Sequence, residues 1–143
     1  MLTDLLPTTA TLAGGLLGGV YLAFDLAVLP ALRRVPVGGP GPDPGDTMRA
    51  INVAIVRPSF LALLFGAPAL AVTAAVLGPT PWSVAAAALQ VGGLVVTVAV
   101  NVPHNDRLAA GGPWSAFVGP WLRAHRVRTA VALLGAVLTS VGL

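Results

Sequence analysis

Long apolar runs alternate with short polar breaks along this chain, at a spacing that predicts membrane-crossing helices. The runs occupy residues 8–30, 59–77, 82–102 and 124–142. Each is close to the ~20 residues an α-helix needs to cross a hydrocarbon core about 30 Å thick. Residues 35–45 (VPVGGPGPDPG) are rich in Pro and Gly and predict a flexible loop. Asp46 or Thr47 is then placed to cap a short interfacial helix carrying Met48, Ile51, Asn52 and Ile55. Arg57-Pro58 ends it, because the residue before a proline disfavours the helical region. Gly78-Pro79-Thr80-Pro81 makes a tight turn without a charge. The expected fold class is all-α, a single transmembrane domain over residues 1–143: an integral membrane four-helix bundle with a short interfacial helix between spans 1 and 2.

Polar positions inside the apolar runs are phased. In span 1, Gly14, Gly15, Gly18 and Gly19 form two overlapping Gly-x-x-x-Gly pairs that allow close helix approach. Continuing the Gly14/Gly18 face at helical spacing reaches Tyr21 and Asp25. Pro68 is expected to kink span 2. Span 3 carries a stripe of Gln90, Thr97, Asn101 and then His104/Asn105, with Pro103 expected to kink the helix without breaking it. Pro120 is expected as the first residue of the last helix. On that helix Trp121, His125, Arg128 and Ala132 share a face with Thr129 beside them, while Arg123 and Arg126 point toward lipid headgroups.

Composition supports lipid as the solvent. Of 143 residues 56% are hydrophobic and 9% charged, with a mean hydropathy of +0.87, whereas soluble domains average about 25% charged. The N-terminus lacks a positive leader region, so the first run is expected to be a retained span. The basic residues are all Arg and the acidic ones all Asp, a bias of GC-rich, bacterial coding. With no Cys, disulfide and thiolate chemistry are excluded. Arg33, Arg34, Arg49 and Arg57 fall around the 1–2 connection, and Arg107, Arg123, Arg126 and Arg128 around the 3–4 connection. The positive-inside rule puts both connections in the cytoplasm and both termini outside. The expected location is the bacterial plasma membrane.

Candidate chemistry concentrates in residues 101–129, which hold both histidines, two of the three tryptophans and half of the arginines. An intramembrane carboxylate such as Asp25 reads as functional by default, or as an ion pair with Arg128 or Arg57. His125 suits proton transfer near neutral pH, or an interfacial hydrogen bond to a loop carbonyl. Asn101 and Asn105 offer amide donors for an oxyanion, or interhelical hydrogen bonds. Trp114 and Trp121 read as aromatic-belt anchors or as a wall for a flat substrate.

Several motifs occur in a telling order. They are Val20-Tyr21-Leu22-Ala23-Phe24 leading to Leu29-Pro30-Ala31-Leu32, then Ile51-Asn52 with Ile55. Asn101-Val102-Pro103-x-Asn105-Asp106-x-Leu108 follows, and last Trp121, His125 and Arg128-Thr129. Together with four spans they resemble the anthrone oxygenase-like family of small integral membrane proteins. Two positions depart from the family pattern: His104, where an aliphatic residue is usual, and Asp25, where a small one is. The resemblance implies a cofactor-independent oxygenase acting on an anthrone-like or other phenolic aromatic molecule. It implies His125, Arg128, Asn101 and Asn105 as catalytic, with Asn52, Trp121, Thr129, Asp25 and Tyr21 binding substrate. No metal site and no cofactor are expected.

Two other classes compete with that reading. One is a non-catalytic membrane bundle, a transporter or complex subunit; the clustering of polar residues toward the inner half favours a pocket over a pore. The other is a haem or metal protein using His104 and His125. The partners expected are the lipid bilayer, a hydrophobic aromatic small molecule and O₂, with a homo-oligomer allowed and no nucleic acid.

Overall fold

The computed structural model describes residues 2–141, side chains from Leu5 on, and among them it is helical with no strand. The first rod consists of α1 (Leu2–Ala23), a five-residue π-turn (Phe24–Val28) and α2 (Leu29–Arg34). The chain then forms α3 (Pro44–Ile55), α4 (Pro58–Leu77) and α5 (Pro81–Val96). A second π-turn (Thr97–Asn101) joins α5 to α6 (Val102–Ala109), and α7 runs over Trp114–Val141.

The four long helices form a ring: α1 packs on α4, α4 on α5, α5 on α7, and α7 back on α1. Three rods are long and apolar enough to cross a membrane: Leu5–Arg34, Pro58–Leu77 and Pro81–Ala109. At 20 residues α4 reaches about 30 Å, the depth of a hydrocarbon core. Helix α7 has the length, but Arg123, His125, Arg126 and Arg128 dilute its first half. The outside of the ring is apolar: Leu12, Leu26 and Val76 are 61%, 71% and 71% exposed. Buried positions include Gln90, Thr97, Asn101, His125, Arg128, Thr129 and Thr139. Apolar outside and polar within is the arrangement suited to lipid.

Small residues bring the helices together. A Cβ on Gly14 would fall 2.4 Å from Gln90 Nε2, and one on Gly18 would fall 2.6 Å from Leu133 Cδ2. Gly15 and Gly19 have nothing within 4 Å, so only one of the two glycine pairs makes a helix contact. Gln90, held against Gly14 and Gly135, donates through Nε2 to the Ala132 carbonyl at 3.2 Å.

The two π-turns share a local cause. Each ends two residues before a proline, Val28 before Pro30 and Asn101 before Pro103. Proline has no N–H to give and crowds the carbonyl four residues back; a widened turn relieves that crowding and keeps the rod continuous. The Leu29 and Val102 N–H groups reach five residues back, to the Phe24 and Thr97 carbonyls. Pro103 thus weakens the helix without ending it, as its place in the sequence implies.

Two local expectations are corrected. The N-cap of α3 is Asp43, not Asp46 or Thr47. Its Oδ1 accepts from the Gly45 N–H at 2.8 Å and the Asp46 N–H at 3.3 Å, with Pro44 at the first helical position, so the Pro/Gly loop ends at residue 43. The last helix starts at Trp114, and Pro120 lies inside it. Trp114 and Phe117 extend the helix upstream because both pack with Leu29, Leu32, Met48, Leu108 and Trp121 at this end of the bundle. Arg126 keeps a largely exposed side chain, with its Nε 3.9 Å from the Asp25 carboxylate.

The α6–α7 corner is tightly specified. Gly111 takes φ +91, the Gly112 N–H bonds the Arg107 carbonyl at 2.9 Å and the Gly111 N–H the Leu108 carbonyl at 3.1 Å. This pair of bonds is the Schellman closure of a helix C-terminus. Arg49 Nη1 also donates to the Leu108 carbonyl at 3.1 Å, tying α3 to the end of α6.

Candidate functional site

The two π-turns face the first half of α7, and the polar residues they carry converge there on His125. Tyr21, Phe24 and Asp25, at i, i+3 and i+4, share the face of the first rod that addresses α7. His125 is fully buried. Its Nε2 lies 2.9 Å from the Tyr21 carbonyl, and Arg128 Nε donates to its Nδ1 at 2.9 Å. A guanidinium only donates, so Nδ1 holds the lone pair and Nε2 carries the hydrogen given to Tyr21. One turn of α7 sets this up, since His125 and Arg128 are three residues apart.

Aromatic rings enclose the pair. Trp121 stacks on the imidazole at 4.7 Å between centroids and 11° between planes, with Phe24 tilted at 5.8 Å and Tyr21 edge-on at 5.7 Å. The Arg128 guanidinium carbon sits 4.4 Å from the Tyr21 ring centre and 5.2 Å from that of Trp121, within reach of cation–π attraction to both. Its Nη1 donates to Thr97 Oγ1 at 3.4 Å. Trp114, Phe117, Trp121 and His125 then form a ladder of rings down α7, at 5.5, 5.6 and 4.7 Å.

Asp25 closes the other side. Its Oδ2 accepts from Thr129 Oγ1 at 2.7 Å and lies 3.6 Å from His125 Nε2. Its Oδ1 is buried without a hydrogen-bond partner, and Arg126 Nε is 3.9 Å away. The cation nearest Asp25 is therefore Arg126, where the sequence reading weighed Arg128 and Arg57.

The asparagines hold Trp121. Asn101 Nδ2 donates to the Trp121 carbonyl at 3.2 Å, and Asn105 Oδ1 accepts from the Trp121 indole N–H at 2.7 Å. The first bond fixes the Asn101 amide orientation, leaving its fully buried Oδ1 as an unpartnered acceptor. The structure thus gathers His125, Arg128, Thr129, Trp121, Asn101, Asn105, Tyr21 and Asp25 into one cluster. Asn52 stays on α3, its Nδ2 buried and unpartnered. Phe24 and Arg126 were missed by sequence reasoning; the available signal for Phe24 was helical spacing, three residues on from Tyr21.

His104 and His125 make separate hydrogen bonds. His104 Nδ1 is 2.7 Å from the Val100 carbonyl, and both nitrogens of His125 are engaged inside the cluster. Among the described residues no group of three His, Asp or Glu side chains is placed to hold an ion. A cleft of about 240 Å³ opens at the α6–α7 corner, lined by His104, Arg107, Leu108, Gly112, Pro113, Ala116 and Phe117.

This cluster lies largely within a stretch that matches a known family. The family model described as anthrone oxygenase matches residues 48–138. The chain belongs to the anthrone oxygenase family. All cluster residues except Tyr21, Phe24 and Asp25 fall inside the matched stretch. Searches of curated proteins and of solved structures return no match.

Proposed function

We propose that this member of the anthrone oxygenase family is a membrane-embedded oxygenase that needs no bound cofactor and acts on an anthrone-like or other phenolic aromatic molecule. The single observation that carries the reading is the buried His125–Arg128 pair, which lies in the family's matched stretch and is walled by aromatic rings. In the resting arrangement the His125 lone pair is held by Arg128. When a substrate oxygen takes the Arg128 N–H groups in its place, Nδ1 is free to accept the acidic C–H proton. Asp25, 3.6 Å from Nε2, offsets the charge that the imidazole then gains, and Arg128 stabilises the enolate oxygen.

The oxygen chemistry belongs to the substrate. The enolate gives one electron to O₂, the radical and superoxide combine through a new C–O bond, and a proton completes the hydroperoxide. Loss of the second C–H proton with cleavage of the O–O bond leaves a ketone and releases water. The balance is one CH₂ and one O₂ in, one C=O and one H₂O out. A proton acceptor is all the protein must supply for the first step, and general bases contribute about 10²–10⁴-fold.

The same reading takes α7 as a fourth crossing, because it packs against α1 and α5 along the ring. It places the two arginine-bearing connections in the cytoplasm. O₂ uptake by the purified protein in detergent, with a panel of anthrones and hydroquinones, tests it: uptake is expected with the anthrones and is lost in His125→Ala. A fully active His125→Ala, or no uptake with any member of the panel, overturns it. The second reading, a non-catalytic bundle, is favoured by one observation: both His125 nitrogens are already engaged in bracing α1 and α7. It is the reading that survives if no substrate is turned over.

A further inference from the structure

The outer stripe of α7 carries positive charge that the fold leaves unanswered. Arg123, Arg126, Val127, Ala130, Leu134 and Val137 recur at helical spacing and are all exposed. Because α7 packs on α1 and α5, both parts of membrane-length rods, this outer face meets lipid. Arg123 and Arg126 head the stripe, three residues apart and so neighbours on the helix surface. The Arg126 side chain is 66% exposed and comes only within 3.9 Å of Asp25. Among the described residues Arg123 has no ion pair or hydrogen bond. Arg33 and Arg34 end α2, exposed, on the same side, since Leu29 and Leu32 pack with Leu122 of α7. This side of the bundle end thus sets four exposed arginines against the Asp25 carboxylate. The α3–α6 side differs: Asp43, Asp46 and Asp106 accompany Arg49 and Arg107, and Asp46 pairs with Arg49. A guanidinium that faces lipid without an anion is costly, so on α7 the partner has to come from outside the chain.

We propose that this stripe binds one anionic phospholipid, a phosphate diester whose headgroup carries no cation of its own. The phosphate lies between Arg123 and Arg126, whose planar forks donate paired N–H bonds to phosphate oxygens. Arg33 and Arg34 add positive field from the adjoining helix end. One acyl chain follows Val127, Ala130, Leu134 and Val137. From Arg126 to Val137 the stripe runs about 16 Å, the depth of one leaflet of a hydrocarbon core about 30 Å thick. A free phosphate or an acidic peptide meets the arginines but leaves this apolar length unused, and a zwitterionic lipid brings an ammonium against them. The stripe faces away from the buried His125 and Arg128, so the site stands apart from the oxygenase reading and does not rest on it.

The test uses the full chain in detergent micelles, titrated with dioleoyl phosphatidylglycerol or dioleoyl phosphatidylcholine and read by native mass spectrometry. Phosphatidylglycerol is expected to be retained one per chain, with an apparent affinity at least about tenfold above phosphatidylcholine. Added salt should narrow that margin by screening the arginines. The paired substitution Arg123→Gln/Arg126→Gln is expected to bring the two lipids within about twofold of each other. Arg107→Gln, on the α3–α6 side, should leave the margin as it is. Arg123→Gln alone, with no bond to lose within the fold, is expected to cut the margin by about threefold or more. Should the paired variant lose its helical circular dichroism, that single variant decides: an undiminished margin there overturns the proposal. Equal retention of the two lipids by the parent chain, a margin that survives the paired substitution, or an equal loss in Arg107→Gln also overturns it. So does displacement of phosphatidylglycerol by inorganic phosphate at equal concentration, which would make the stripe a site for free anions.

Discussion

Arg128 Nε donates to His125 Nδ1 across 2.9 Å inside the bundle, and that contact settles which imidazole nitrogen bears the hydrogen. With Nε2 given to the Tyr21 carbonyl, the ring is oriented at both ends. A guanidinium and an imidazole hold each other without a carboxylate between them, and Asp25 stands to the side.

His125→Gln separates the brace from the base. The Gln amide oxygen can accept from Arg128 and its NH₂ can donate to Tyr21, so the fold keeps both bonds. Thermal unfolding in detergent is expected to move by less than about 1 kcal/mol, within the usual worth of one neutral hydrogen bond. O₂ uptake with an active anthrone is expected to fall by at least about 100-fold. Undiminished uptake would remove His125 as proton acceptor.

Arg128→Lys tests the planar fork. An ammonium is a point charge and cannot serve His125, Thr97 and two ring faces together. A destabilisation of about 1.5–3 kcal/mol is expected, the range for a hydrogen bond to a charged group, measured by the shift in denaturation midpoint. A variant as stable as the parent would show that the charge alone matters.

Asn105→Ala releases the Trp121 indole. A buried N–H without a partner costs about 1–3 kcal/mol, and the Trp121–His125 stack should loosen. The readout is loss of near-ultraviolet circular dichroism with far-ultraviolet helix signal retained. Unchanged aromatic dichroism would mean that Asn101 and packing hold the indole without Asn105.

Glycine substitutions in α1 should divide by face. Gly18→Ala forces Leu133 aside and meets its backbone nitrogen at 3.3 Å, an overpacking worth about 1–3 kcal/mol. Gly15→Ala and Gly19→Ala meet nothing within 4 Å and are expected to be neutral or mildly stabilising through helix propensity. Gly14→Ala drives Gln90 from the Ala132 carbonyl, so its cost should shrink in a Gln90→Ala background. Equal thermal midpoints across the four glycine variants would contradict this packing.

Much of the architecture was readable because lipid imposes simple rules. The apolar runs over 59–77 and 82–102 lie on helices, the Gly14/Gly18 face packs as its spacing implies, and Asn101, His125 and Arg128 are buried where an apolar chain hides its polar groups. The misses come from contacts that local sequence does not encode. Pro120 reads as a helix start until Trp114 and Phe117 find their partners across the corner. Asp43 outcompetes Asp46 as cap because Pro44 fits the first helical position. The asparagine stripe suggested donors for a ligand, yet which atoms face Trp121 depends on how α6 meets α7. Helical spacing put Asp25 on the Gly14/Gly18 face, but that its partners there are Thr129 and Arg126 depends on how α7 docks, which local sequence does not encode.

Those wide turns carry one residue more than the helix around them needs. Loss of that residue would let an ordinary α-turn close while the flanking segments keep their facing. Deleting one residue from a spanning helix normally rotates all that follows by about 100°, presenting buried polar groups to lipid. Deletion of Leu26 or of Ala99 should instead leave a monodisperse, folded protein in detergent and re-aim Asp25 or Asn101 alone, whereas deletion of Leu12 should not. A single deletion at a chosen place can therefore erase the chemistry and spare the scaffold, which makes chain length, not side-chain identity, the dial that separates them.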